Sequence, residues 1–324
     1  MLFRSGADEG ANRQARLKAA GAMEGYFTKN RNVREAAQYL VNAAYNAQKL
    51  HRAGKETGKA KTWCDNTMKA FDSFKGTTGP DGKDKSLGSV EADMAAECAY
   101  RAVDEELKAK WDYDAGHHRY SGVIDKVKEA YEKDLKAAND VWSPKLQNVI
   151  EKYNSPKWSI ATRARQGSVY DSIRTGLYNA TPPQVRLYND KEEKLLKMAE
   201  TSEDDDLILK ADEIRQTRRE VWRKTRDDLL AEADKVMVNR YAEAVVWAKA
   251  YKIRTDAVDH AIRRLAFFTD IIGNQKIRDY SQGIVDPETK QPFVYTDNLF
   301  LKSRPGLTLE QPASGMPVPL PVAP

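Results

Sequence analysis

The 324 residues include two cysteines, four histidines and no long apolar run, and each shortage removes a class of protein. Cys64 and Cys98 both sit inside helical patterns, which excludes a disulfide framework and leaves the redox state of the compartment open. No stretch approaches the roughly 18 consecutive apolar residues that a membrane-spanning helix needs. No serine, cysteine or histidine stands in a nucleophile setting, and no glycine-rich strand-to-helix turn exists. Acid–base chemistry would rest on carboxylates that nothing singles out, so neither catalysis nor a cofactor is expected. The N-terminus also lacks the basic, then apolar, then small-residue pattern of an export signal. That absence carries little weight. Residues Leu2 to Ser5 (Leu-Phe-Arg-Ser) are what the end of a common sequencing adapter encodes, and the helical pattern starts almost at once. The natural chain is therefore expected to begin further upstream, with this as its C-terminal portion.

What is abundant is charge, and it is mixed. Fifty-three Lys and Arg face 48 Asp and Glu, for a net charge of +5. The signs are interspersed, so no basic arm or stripe points to nucleic acid. A chain this polar suits a solenoid, in which every helix keeps a wet face, better than one large core.

Proline is scarce before the tail, and helix formers dominate. Helical spacing predicts helices over residues 11–30, 33–53 and 59–74, the second and third joined by a Gly54–Gly58 turn and so antiparallel. After a polar loop (76–88), Ser89 reads as the cap of a helix running to Trp111. Residues 123–142 are helical, and Ser143-Pro144 restarts a helix ending near Tyr153. Ser155-Pro156 reads as an N-cap followed by proline at the first helical position, opening a helix to about Tyr178. A charged helix is expected over 184–200, with Thr201–Asp206 capping the next. Residues 207–252 hold no proline or glycine, which predicts one helix on the order of 65–70 Å long. A helix over 256–272 should close on Gly273-Asn274. Beyond it, residues 284–295 read as a hairpin or extended flap, and the chain after Arg304 becomes proline-rich and polyproline-like.

Several of these pieces resemble tetratricopeptide repeats, whose unit of about 34 residues is two antiparallel helices with small residues at the crossing. Asn42-Ala43-Ala44, answered by Lys59-Ala60 on the return helix, matches that small-residue core. A second match is more specific. Ser155-Pro-Lys-Trp-Ser-Ile-Ala161, Arg163, Gly167, Tyr170 and Asn179-Ala-Thr-Pro-Pro183 follow one pattern. It is similar to the C-terminal module of large tetratricopeptide-repeat proteins from myxobacteria and related bacteria. There, a Trp-x-x-Ala-x-x-x-x-x-Gly-x-x-Tyr helix follows a charged hairpin and precedes a long helix. Some members of that family belong to envelope complexes for gliding motility. The match covers roughly residues 89–268, although the acidic segment 191–206 looks expanded and the repeats before Gly76 are weak.

The resemblance implies an all-α fold: a superhelix of antiparallel, tetratricopeptide-like helix pairs with a long C-terminal helix and an extended Pro-rich tail. Its divisions are expected at 1–75 (helix pairs), 76–183 (helical repeats with the charged hairpin), 184–280 (charged, long and terminal helices) and 281–324 (flap and tail). The implied role is a protein-binding scaffold of the periplasm or cell envelope, with a small cytoplasmic adaptor as the alternative. In such a superhelix, first-helix residues line the groove. Here those are Val41, Tyr45, Gln48 and Lys49, and later Ala164, Ser168, Asp171 and Ser172, while Trp158, Gly167 and Tyr170 fill seams. The expected partners are proteins or peptides. A nucleic-acid-binding helical repeat is the lesser alternative, and it would show binding that weakens steeply with salt.

Other motifs dissolve on inspection. Gly54-Lys-Glu-Thr-Gly-Lys59 has one residue too few for a phosphate-binding loop, and Ala60 replaces its hydroxyl residue. Asp112, Asp114, His117 and His118 share a loop but lack the converging geometry expected of a metal site. Arg215, Arg218, Arg219, Arg223 and Arg226 alternate with acids, as intrahelical ion pairs do.

Overall fold

In a computed structural model, residues 6–76, 86–286 and 290–293 are described. The chain is all-α. Helices α1 (Gly6–Lys29), α2 (Arg34–Ala53), α3 (Thr57–Asp72) and α4 (Ser89–Lys110) lead into α5 (Ile124–Ala137), α6 (Ser143–Tyr153) and α7 (Pro156–Tyr178). Then follow α8 (Asp190–Ala199), α9 (Asp205–Tyr251) and α10 (Asp256–Tyr280). The only strands among the described residues are β1 (Gly122–Val123) and β2 (Val185–Arg186), paired in parallel.

The α2/α3 turn is tighter than its glycines suggest. Helix α3 begins at Thr57, and Lys55 takes the left-handed conformation (φ 59°). Glu56 ties the corner together, accepting from His51 Nδ1 (2.8 Å), Lys59 Nζ (2.8 Å) and Arg13. Gly88, not Ser89, occupies the cap position of α4.

Helix α5 does not stop at Ser143-Pro144. It runs on through a π-helical turn, Ala138–Trp142, into α6. Proline has no N–H and its ring crowds the carbonyl four residues back, so the wider turn absorbs Pro144 without ending the helix. Tyr170 OH fastens the turn by donating to Asn139 Oδ1 at 2.7 Å.

Helix α7 opens as the sequence indicates, with Pro156 in its first turn and Ser155 Oγ accepting from Trp158 N. Residues 184–189, expected to be helical, form the end of a turn, the short strand β2 and an irregular link instead. Gly122 N donates to Gln184 O at 2.8 Å, and Val185 and Leu187 are buried. A capping box between Asn189 and Glu192 fixes the start of α8 only afterwards.

Helix α9 is continuous over 47 residues, about 70 Å at 1.5 Å per residue. Asp204 caps it, accepting from Asp206 N and Leu207 N. It ends on Lys252 in a left-handed conformation, a role usually taken by glycine. Helix α10 does not close on Gly273. That residue is a kink (φ 84°, ψ 153°), beyond which helical structure continues to Tyr280. The hairpin follows, with Val285 bridged to Pro292 and Phe293 N donating to Ile284 O at 2.8 Å. Phe293 is buried against the main core, and Lys249 pairs with Asp286. The Pro-rich tail lies outside the described residues.

Two main cores result. The larger lies among α5, α6, α7, α9 and α10 and contains Tyr131, Leu146, Ile173, Met237, Tyr241, Leu265 and Phe268. The N-terminal one is built largely of alanine, namely Ala37, Ala44, Ala70, Ala92, Ala95, Ala96 and Ala99, around Leu40, Phe71, Phe74 and Tyr153. Alanine lets helices approach closely but each methyl contributes little hydrophobic energy, about 0.8 kcal/mol per buried carbon. Beside this core Cys64 of α3 and Cys98 of α4 form a disulfide, with a Cα–Cα distance of 5.1 Å. Two cysteines inside helical patterns argue against a disulfide framework, yet these two meet, because α3 and α4 pack side by side.

Candidate docking arm and buried polar centre

The residues expected to line a groove do not share one open face. On α2, Val41, Tyr45 and Gln48 are buried and Lys49 is exposed, its ammonium 4.3 Å from the Tyr45 ring centre. Tyr45 OH donates to Glu97 Oε2 on α4 at 2.6 Å, and burial together with that carboxylate pushes its pKa well up. On α7, Ala164 and Asp171 are buried, while Ser168 and Ser172 are half-buried. Helix crossing decides this outcome. Helix α7 is packed by α4, α6, α9 and α10, so residues on several of its faces meet a neighbour.

Ser168 and Asp171 instead belong to a polar centre between α7, α9 and α10. Arg264 grips Asp171 with two bonds, Nε to Oδ2 at 2.6 Å and a terminal nitrogen to Oδ1 at 2.7 Å. Tyr241 OH donates to Asp171 Oδ2 at 3.2 Å. It also lies 3.2 Å from Ser168 Oγ and 3.4 Å from His260 Nε2, and Ser168 Oγ lies 3.5 Å from that same nitrogen. Burial holds the His260 pKa down, and burial with Asp171 beside it holds the Tyr241 pKa far up. These groups satisfy one another, and Tyr241 is fully buried, so the arrangement orients three helices. Periodicity puts Ser168 and Asp171 on one helix face, but nothing in the sequence joins them to Tyr241, His260 and Arg264.

Two seam glycines explain the close approach. A Cβ on Gly167 would lie 2.7 Å from Tyr241 Cε1, and one on Gly176 would lie 2.3 Å from the His118 carbonyl oxygen. Trp158 and Tyr170 fill seams as expected. Trp158 stacks tilted on Tyr100, and Tyr170 is buried.

The loop with paired acids and histidines does not converge. Asp112 accepts both its bonds from Arg165, His118 Nδ1 pairs with Asp134 at 2.8 Å, and His117 Nε2 meets Ala109 O. Among the described residues no three His, Cys, Asp or Glu gather as metal ligands.

The surface left over is one end of α9. From Leu230 onward this helix is buried between α7 and α10, whereas over residues 205–229 only Ala211 and Trp222 are buried. Helix α8 folds back on this outer half around a small core of Leu196, Ala199 and Ala211. Arg218 clamps the two by donating to Glu192 Oε1 at 2.7 and 3.0 Å. Of the arginines expected to pair within α9, Arg215 reaches Asp212 (2.8 Å) and Arg223 reaches Glu220 (3.7 Å), but Arg218 crosses to α8. Arg215, Arg219 and Arg223 recur at every fourth position and line an open hollow of about 460 Å³ with Asp212, Gln216 and Glu220. Met198, Leu209 and Val221 stay exposed (63%, 62% and 43%) among these charges.

Compared with known protein families, curated proteins and solved structures, the chain gives no match. No helix among the described residues is long and apolar enough to cross a membrane.

Proposed function

We propose that this chain is a non-enzymatic scaffold that holds partner proteins or peptides within a bacterial envelope assembly. The observation that carries the reading is the division of α9. Its inner half is locked into the main core, and its outer half with α8 forms an arm. Apolar side chains left wet among charges of both signs, on a helix anchored at one end, suit helix-to-helix docking. The fold reading extends to a superhelix of tetratricopeptide type. What supports it is the antiparallel α2/α3 pair with Ala44 and Ala60 both buried. The resemblance to the myxobacterial envelope module draws support from Gly167, Tyr170 and Trp158 acting as seam residues of α7.

The test is site-specific photo-crosslinking in the native cell. A crosslinker at Leu209 or Met198 should yield a discrete partner band that is absent from the same probe at exposed Lys133. The band should vanish when the other of the two apolar residues is changed to Asp. Equal, diffuse labelling from all three positions would sink the docking role.

A further inference from the structure

We infer that the Cys64–Cys98 bridge keeps the α1–α3 helices docked, so that this half of the molecule is firm in an oxidising compartment and loosens in a reducing one. The inference stands whether or not the arm docks a partner.

Three observations lead there. The bridge joins α3 to α4, two helices connected by sixteen residues (73–88) of which Phe74 and Leu87 belong to the N-terminal core. Without the bond, 34 positions of chain separate the two sulfurs. The core it fastens is poor in large side chains, with seven alanines among its fourteen buried members, so non-covalent packing supplies little there. Besides that core, with Phe71 against Tyr153 (ring centres 5.6 Å apart) and the buried Tyr45–Glu97 bond, the contacts that hold α1–α3 to the rest are mainly polar and partly exposed. They include Lys152 with Asp72 (2.6 Å) and Arg52 with Glu105 (2.7 Å), pairs of the kind that contribute little. The larger core also contains alanines, but it adds many more large side chains, among them Tyr131, Tyr241, Ile173, Met237, Leu265 and Phe268.

The bond lies close beneath the surface. It floors an open hollow of about 670 Å³ where α2, α3, α4 and α6 part, although each cysteine is itself at most 4% exposed. Arg52, Lys61, Arg101, Lys110 and Lys145 line that hollow against three carboxylates, Asp65, Glu105 and Glu106. Formation removes two protons and two electrons from the thiols and passes them to an incoming disulfide, which leaves as a dithiol. Reduction by a dithiol is the reverse, through a mixed disulfide.

The full chain would be made in an oxidising and in a reducing compartment, and thiols counted by maleimide labelling after denaturation. The oxidised sample should carry no free thiol and the reduced one both. Hydrogen exchange then compares the two samples, the oxidised sample treated with a dithiol, and the C64A/C98A double variant. Loss of the bridge should lower protection across residues 34–72, by up to several hundredfold, on the order expected for a loop of this length. Residues 160–177 and 230–249 should keep theirs. The dithiol-treated wild type separates loss of the bond from loss of sulfur packing in the variant. Equal protection of 34–72 with and without the bond, or free thiols after oxidising expression, would overturn the inference.

Discussion

Gly167 of α7 lies directly beneath the ring of Tyr241 on α9, so close that a Cβ would sit 2.7 Å from Cε1. Helix propensity and packing therefore oppose each other at this residue. Propensity alone favours Gly167→Ala by about 1 kcal/mol. Because Tyr241 is fixed by Asp171 and has no room to move, overpacking should win, at a cost of about 1–3 kcal/mol. Gly58, inside α3 with nothing within 4 Å of an added Cβ, is the control. Gly58→Ala should stabilise by roughly 0.4–1 kcal/mol. Chemical denaturation of both variants checks the pair, and equal signs would refute the account.

Arg174 and Asp234 form a nearly enclosed ion pair between α7 and α9, Nε to Oδ1 at 2.8 Å, with side chains 4% and 8% exposed. Burial raises the Asp234 pKa above its ordinary value although Arg174 pulls it down. Arg174→Met strands a carboxylate and should cost about 3–5 kcal/mol, whereas the double change Arg174→Met/Asp234→Leu should recover much of it. A double-mutant cycle measures the difference. An additive double variant would show that the pair is not coupled.

Glu56 gives a pH dependence of known direction. Hydrogen bonds from Lys59, His51 and Arg13 lower its pKa from an ordinary 4.5 to about 2. A lowered folded-state value means a contribution fully present above pH 4.5 that is lost as pH falls through about 2. Since Arg13 is on α1, acidification across that window should raise hydrogen exchange in α1 ahead of α7. In Glu56→Gln that early step should be missing. If α1 responds identically in both proteins, another carboxylate governs it.

Asn189→Ala removes the capping box of α8 and should cost about 0.5–2 kcal/mol locally. Because α8 packs mainly on the outer half of α9, with Arg186 of β2 pairing to Asp190 and Glu193, the effect should appear as faster exchange in residues 190–199, with the main unfolding transition unmoved. A matching fall in global stability would mean that the arm is part of the core.

These cases also show what could be read from residue order. Helix α9 was legible because 47 residues without proline or glycine leave nothing to break it, and Ser155-Pro156 and Asp204 because caps are local. The α8 boundary was not legible, since the pairing of Val185 with Gly122 lies 63 positions away. Nor was the π-turn, whose hold is the Tyr170–Asn139 bond, nor the cysteine pair, whose meeting depends on how α3 returns onto α4. The proposed groove residues failed to line up on an open face for a related reason. Periodicity shows that Ser168 and Asp171 share a helix face, but only the arrival of α10 with Arg264 decides that the face is covered.

The length of α9 has a mechanical meaning. From Leu209 on the arm to Tyr241 in the polar centre the helix runs about 48 Å with no hinge residue. A load applied to the tip therefore acts as on a lever whose fulcrum is near Trp222. The inner end of that lever, about 28 Å from Trp222 to Tyr241, bears on the cluster that joins α7, α9 and α10.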